Sequence, residues 1–375
     1  MKRIIILVLL VYSWVGFFSA PVYALDIEAA SAILINADSG QVLFEQDAHQ
    51  ILPVASLTKI VTALVTLEHY NNLRQTYTLP AAFANVGESA LGLMPGETLT
   101  IEDLLYALML RSANDAGQAL ALAVGGSESS FAKMMNNRCI EAGLTESNWV
   151  NPHGLHDEAH LSSAYDMAYI TREAMKIPMF NTLIKAPSHT IPWEGQIDDR
   201  IVTSHNRLLT NYDGADGVKT GYTSKAGNCL VGSATRHGLR LIGVVLNSED
   251  TYTQMASLLD YGFAKYELRQ VAAYGDIAAR LPLKNARQDS ISIYFGSTLN
   301  LLISKEQKTL PLPDIQLPEY LDTPIDSQEP VGLAVFQDSS GNIQNIQLYP
   351  TENIERFTLL GLIKAAFLQI MRVML

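Results

Sequence analysis

The strand-forming segments of this chain stand on either side of a long helical region, and that spacing limits the fold more than any other feature. Ser31-Ala32-Ile33-Leu34-Ile35-Asn36 and Gln41-Val42-Leu43-Phe44-Glu45 flank Ala37-Asp38-Ser39-Gly40 and read as a hairpin with a glycine-closed turn. A second pair comes far downstream: Asn228 to Thr235, a turn at Arg236-His237-Gly238, then Leu239 to Leu246. Between the pairs, Leu57, Ile60, Val61, Leu64 and Val65 repeat at the helical period, as do Leu104, Leu105, Leu108 and Met109. Thr251 to Tyr266 reads as a closing helix. Hairpins pair antiparallel. The expected fold class is therefore α+β: an antiparallel sheet assembled from distant segments, with flanking helices and an inserted helical subdomain. A cleft between two such parts is the usual place for a ligand.

The composition supports a core of that size, with 48% hydrophobic and 17% charged residues in a chain of 375. After residue 270 the pattern changes. Ile291, Ile293 and Phe295 alternate with Ser292 and Tyr294, and Val331 to Phe336 is matched by Ile343 to Leu348 across Asp338-Ser339-Ser340-Gly341. Pro311, Pro313, Pro318, Pro324 and Pro330 lie between and favour loops and sheet edges. A small β-rich domain is expected over 270–350, after a first domain over 25–266.

The ends carry their own signals. Met1 to Ala24 has a basic start, an apolar run and small residues at Val22-Tyr23-Ala24, as a cleaved secretory signal does. Its removal takes away Lys2 and Arg3 and moves the net charge from −12 to −14. With 38 acidic residues against 26 basic and no basic tract, nucleic acid is not an expected partner. Over 354–375 a C-terminal amphipathic helix is expected, with Lys364, Gln369 and Arg372 on one side and Leu359, Leu360, Ile363, Phe367, Ile370 and Met374 towards the other. Two internal cations suit a helix lying on a membrane surface better than a span. The expected location is exported, at the outer face of the cytoplasmic membrane. Cys139 and Cys229 are open to pairing there.

Three short motifs carry chemistry. In Ser56-Leu57-Thr58-Lys59 a serine stands one helical turn before a lysine. A serine hydroxyl needs a base within reach, and lysine serves only when burial or another cation depresses its pKa. Arg111-Ser112-Ala113-Asn114-Asp115 sets a hydroxyl and a carboxamide two residues apart. Asp216-Gly217-Val218-Lys219-Thr220-Gly221-Tyr222-Thr223 supplies a cation, a hydroxyl and a glycine in an extended segment, suited to an anionic ligand approaching a strand edge.

In this order the three resemble the penicillin-recognising serine enzymes (the β-lactamase/transpeptidase-like fold), and in particular the low-molecular-mass penicillin-binding proteins that act as D-alanyl-D-alanine carboxypeptidases. The resemblance covers about residues 28–265 and extends to Ala37-Asp38-Ser39-Gly40, His153-Gly154-Leu155, Ser162-Ser163-Ala164-Tyr165-Asp166-Met167 and Asp216-Gly217. It implies that Ser56 attacks the carbonyl between the two terminal D-alanines of a peptidoglycan stem peptide, forming an acyl-enzyme. By the same resemblance Lys59 accepts the serine proton, helped by Lys219 across the cleft, and Ser112 relays a proton to the leaving amine. Asn114 then holds a substrate amide, Lys219 and Thr220 grip the terminal carboxylate, Gly221 lets the substrate lie along the strand, and the N–H groups of Ser56 and Tyr222 form the oxyanion hole. No cofactor is implied, and β-lactams become inhibitors that acylate Ser56.

Other readings stay open beside this one. A class A β-lactamase shares the three motifs but needs a Glu-x-x-Leu-Asn pattern that the sequence does not contain. A D,D-endopeptidase cutting crosslinks would use the same residues, and a non-catalytic wall scaffold would be expected to lose one of them. His153, His156 and His160 have metal-like spacing, but Pro152 and Gly154 indicate a loop, and no metal is expected. There is no Gly-x-Ser-x-Gly elbow for a Ser–His–Asp triad.

Overall fold

A computed structural model describes residues 25–357 except 85, 194, 339 and 340. The expected signal, 1–24, and residues 358–375 of the expected terminal helix lie outside the described residues.

Ser31–Asn36 is buried at every position, which an edge hairpin facing water could not be. The cause is the third strand to join it. Leu239–Ser248 inserts between the N-terminal hairpin and Gly227–Arg236, giving a five-stranded antiparallel sheet in the order Val42–Gln46, Ser31–Asn36, Leu239–Ser248, Gly227–Arg236, Ala215–Thr223. Ile33 pairs with Val244 and Lys219 with Val231. Alternate side chains then serve two cores. Ile33, Ile35, Val231, Ile242 and Val244 face the inserted helices, while Ala32, Leu34, Leu230, Leu241 and Val245 pack against Met255, Leu258 and Leu259 of the helix Thr251–Lys265. A sheet covered on both faces reads as continuous apolar runs, as these strands do. The turn after Gly227–Arg236 consists of His237 and Gly238, both at positive φ (50° and 81°), which matches the twist of a tight hairpin.

The helical region is built round Lys59–His69, in which nine of eleven residues are buried, so this helix is central rather than peripheral. Its hydroxyls are satisfied internally: Thr62 Oγ1 donates to the Pro152 carbonyl (2.6 Å) and Thr66 Oγ1 to that of Thr62 (2.8 Å). Two local features depart from simple helices. Residues Ala55–Thr58 form a 3-10 turn, with Ala55 at φ 49°, before the α-helix begins. The periodic segment Leu104 to Leu110 is an α-helix only over Ile101–Tyr106, then widens to a π turn over Ala107–Arg111. The short antiparallel strand pairs Thr76–Thr78 with Thr98–Thr100 and Ser188–Ile191 with Arg200–Thr203 carried no sequence signal.

The closing helix runs directly into Tyr266–Ala272, which pairs with Leu299–Ser304. A six-stranded sheet follows, centred on Ile343–Pro350 between Gly332–Gln337 and Ser290–Phe295. Ile291, Ile293 and Phe295 form its core with Phe336, Ile346 and Leu348. The proline-rich stretch supplies only Asp314–Gln316 and Leu321–Asp322, the two outermost strands, where a missing N–H costs least. Cys139 and Cys229 are free and buried in separate places, the first beneath the Trp149 indole N–H (3.2 Å) and the second opposite Gly221. No helix among the described residues is long and apolar enough to cross a membrane.

Candidate active site

The central helix carries a lysine at its first residue, and Lys59 has no exposed surface. A buried ammonium must fill all three donor positions or lose its proton. Lys59 Nζ lies 2.8 Å from Asn114 Oδ1, 2.6 Å from the His153 carbonyl oxygen and 2.9 Å from Ser56 Oγ. The first two partners only accept. As a neutral amine, Lys59 therefore spends both N–H groups on Asn114 and His153 and turns its lone pair to the Ser56 hydroxyl. The pKa supports that state, for burial, and then the charge of Lys219, hold the amine well below the ordinary lysine value. Glu88 and Asp115 pull the other way and do not reverse it.

The 3-10 turn presents Ser56, half-buried, at the start of the helix. The edge strand Ala215–Thr223 passes so close that a Cβ on Gly221 would lie 3.0 Å from the Val54 carbonyl oxygen and 3.1 Å from the Ser56 nitrogen. Any larger residue would have to push strand and turn apart there. Two residues back, Lys219 is 2% exposed, and its Nζ donates to Ser112 Oγ (3.0 Å) and the Thr220 carbonyl (2.9 Å). Burial lowers its pKa to about 7. Thr220 is half-buried and Tyr222 stands 66% exposed at the rim.

The π turn explains Ser112. The widened turn ends with Ser112 in the left-handed region (φ 61°), which directs its hydroxyl to Lys219, and a new helix, Asn114–Gly125, starts two residues later. Asn114 thereby faces Lys59. Five of the expected site residues thus converge: Ser56, Lys59 and Asn114 on one side of the cleft, and Lys219 bridging from the edge strand to Ser112 on the other.

Several contributors were not legible in the motifs. Asp115 is fully buried and accepts from the backbone N–H groups of Leu91 (2.9 Å), Gly92 (2.9 Å) and Leu93 (3.0 Å). Asn114 pins the same segment, donating through its backbone to the Ser89 carbonyl (2.7 Å) and through Nδ2 to that of Gly87 (3.1 Å). Residues 87–93 are thus stitched onto the site, with Glu88 exposed between the two carbonyls. Asp216 anchors the edge strand, accepting from Ser233, from Thr235 Oγ1 (2.8 Å) and from Arg240 Nε (3.1 Å). Arg111 and His205 pair at 3.2 Å, and burial, with the charges of Arg111 and Lys219, lowers the His205 pKa. The three histidines of metal-like spacing turn to different partners: His153 to Glu128, His156 to Glu158 and His160 to Thr58.

A serine hydroxyl facing a buried amine, with a second lysine across the cleft, defines a serine hydrolase that dispenses with histidine as base. Comparison with known proteins agrees. The D-alanyl-D-alanine carboxypeptidase family matches residues 18–250, and the C-terminal domain of penicillin-binding protein 5 matches 266–356. The chain belongs to the D-alanyl-D-alanine carboxypeptidase family. It is 32% identical to the carboxypeptidase DacF of Bacillus subtilis, over 83% of this chain and 82% of that protein, and 31% identical to DacC of Escherichia coli, over 89% and 86%. Among solved structures, a peptidoglycan synthesis regulatory factor (PBP3) from Streptococcus pneumoniae superposes with a TM-score of 0.77 at 27% identity, over 88% of this chain and all of that one. Penicillin binding protein 5 from Haemophilus influenzae gives 0.70 at 25%, over 89% and 100%.

Proposed function

We propose that this chain is a serine D-alanyl-D-alanine carboxypeptidase in which Ser56 is the nucleophile and Lys59 the base. The observation that carries the reading is the 2.9 Å contact between Ser56 Oγ and a buried Lys59 Nζ whose other two neighbours only accept. The Ser56 hydroxyl gives its proton to Nζ as Oγ bonds to the carbonyl carbon between two D-alanines of a peptidoglycan stem peptide. The developing oxyanion takes N–H groups of Ser56 and Tyr222. Lys59 gives that proton back by way of Ser112 to the departing D-alanine nitrogen as the C–N bond breaks, which leaves Nζ neutral again, and Asn114 holds an amide on the acyl side. Water then gives a proton to Lys59 as its oxygen bonds to the acyl carbon, and Lys59 returns that proton to Ser56 Oγ as the ester bond breaks and the shortened peptide leaves.

Lys219 and Thr220 receive the terminal carboxylate, with Gly221 leaving room for the substrate backbone along the open strand edge. Half-neutral near pH 7, Lys219 gains its proton when a carboxylate arrives. Arg111 beside it adds positive potential. A β-lactam presents the same acyl and carboxylate groups and acylates Ser56.

In this reading residues 1–24 are a cleaved signal, 25–266 the catalytic domain, 270–350 a β-rich support and 354–375 a helix that lies on the membrane, placing the enzyme at the outer face of the cytoplasmic membrane. The sequence patterns of the two ends support that layout. The test is release of free D-alanine from a diacylated tripeptide ending in D-alanyl-D-alanine. Release by the wild type and none by Ser56→Ala is expected; equal release by both would refute the assignment.

A further inference from the structure

The nucleophile turn is strained. Ala55 holds φ 49°, a conformation that costs a residue with a Cβ on the order of 1 kcal/mol and persists only where its surroundings impose it. A chain of hydrogen bonds that starts in the motif and ends outside it holds this turn. Thr58 Oγ1 donates to the Ala55 carbonyl oxygen (2.7 Å) and lies 2.8 Å from His160 Nε2. Thr58 has one hydroxyl proton, and Ala55 takes it, so His160 must be the donor. The other end of the ring agrees independently. The Val150 N–H donates to His160 Nδ1 (3.2 Å), which is therefore the unprotonated nitrogen, leaving the proton on Nε2. His160 is 3% exposed, and its ring meets Trp149 edge-on at 5.3 Å. The same loop closes over the turn from above: a Cβ on Gly154 would fall 1.9 Å from the Ala55 carbonyl oxygen, and the His153 carbonyl binds Lys59.

We propose that His160 is a positioning residue for the reaction at Ser56, its Nε2–H fixing the Thr58 hydroxyl, and through it the Ala55 carbonyl, in the one orientation that sets the Ser56 N–H and Oγ for attack. The ring works as a neutral donor. A second proton on Nδ1 would oppose the Val150 N–H, and burial above all lowers the pKa to about 4. Rotation of the turn would displace the oxyanion donor and the nucleophile together, while the carboxylate grip of Lys219, on another strand, would stay.

The proposal rests on the carboxypeptidase reading, and the test separates the two. Asparagine places an acceptor near the Nδ1 position but cannot reach Thr58; glutamine reaches Thr58 with its amide N–H but leaves Val150 unpaired. His160→Asn is expected to lower kcat and the rate of β-lactam acylation by about 10- to 100-fold with KM little changed, and His160→Gln to recover most of that loss at equal or lower Tm. Thr58→Val, which keeps the side-chain shape, should match His160→Asn, and the double variant should lose no more than either alone. Equal losses in the Asn and Gln variants, losses that follow Tm, or additive losses in the double variant would overturn the proposal. Independently of activity, the ¹⁵N shifts of His160 in Ser56→Ala should report a proton on Nε2 and none on Nδ1; the opposite tautomer would overturn the proposal even in an active enzyme. Failure of the wild type to release D-alanine, with that tautomer present, would instead sink the carboxypeptidase reading.

Discussion

Lys219 should weaken the fold it belongs to, and by an amount that depends on pH. An ordinary lysine titrates at 10.5, and burial holds this one at about 7. The difference corresponds to roughly 5 kcal/mol of preference for the neutral form. The folded pKa lies below the unfolded one, so between pH 7 and 10.5 the unfolded chain binds more protons and stability rises with pH. Below pH 7 both states are charged and the full penalty applies. At pH 9 the residual penalty is roughly 2 kcal/mol. Lys219→Met removes the charge and keeps the side chain's length. Its stability relative to wild type should therefore be greater at pH 6 than at pH 9, by roughly 3 kcal/mol. Loss of repulsion on Lys59 acts in the same direction. Urea unfolding of both proteins at the two pH values measures the difference, and other titrating groups largely cancel between them. D-Alanine release should be lost in the variant throughout. An advantage that is the same at both pH values, or larger at pH 9, would refute the argument that burial of this cation is costly.

Two further outcomes follow from the segment over the site. Asp115→Asn puts an N–H donor where three backbone N–H groups converge, and should cost about 2–4 kcal/mol in Tm-derived stability and raise KM as residues 91–93 loosen; an unchanged KM would show that the segment does not touch substrate. Glu88→Gln removes a carboxylate that favours the charged form of Lys59, so the acid limb of kcat/KM should move to lower pH, less so in high salt, and a move to higher pH would contradict the assignment of Lys59 as base.

The site was legible where the chemistry is contiguous. Ser56 to Lys59 and Lys219 to Gly221 are short runs whose residue types state their requirements, and the two strand pairs gave the antiparallel sheet. The parts that were not legible act at a distance. Nothing local marks the His153 carbonyl as a partner of Lys59, because every residue has a carbonyl. Asp115 ended a motif without a role in it, because the three N–H groups that it accepts from lie some twenty residues earlier. His160 stood in a suggestive histidine cluster, yet its role is set by Thr58 and Val150, which only the loop's path brings near. The π turn before Ser112 has no sequence pattern, since it differs from an α-helix by one hydrogen-bond register.

The insertion of Leu239–Ser248 at the middle of the first sheet has a consequence for how the chain comes to life. Its two neighbours in the sheet come from opposite ends of the region, with Ser31 paired to Leu246 on one side and Gly232 paired to Gly243 on the other. Until that strand docks, the two hairpins are separate, the serine and its lysine belong to one half, and the second lysine belongs to the other. The two lysines of the candidate site are held across from one another only once that strand joins both halves.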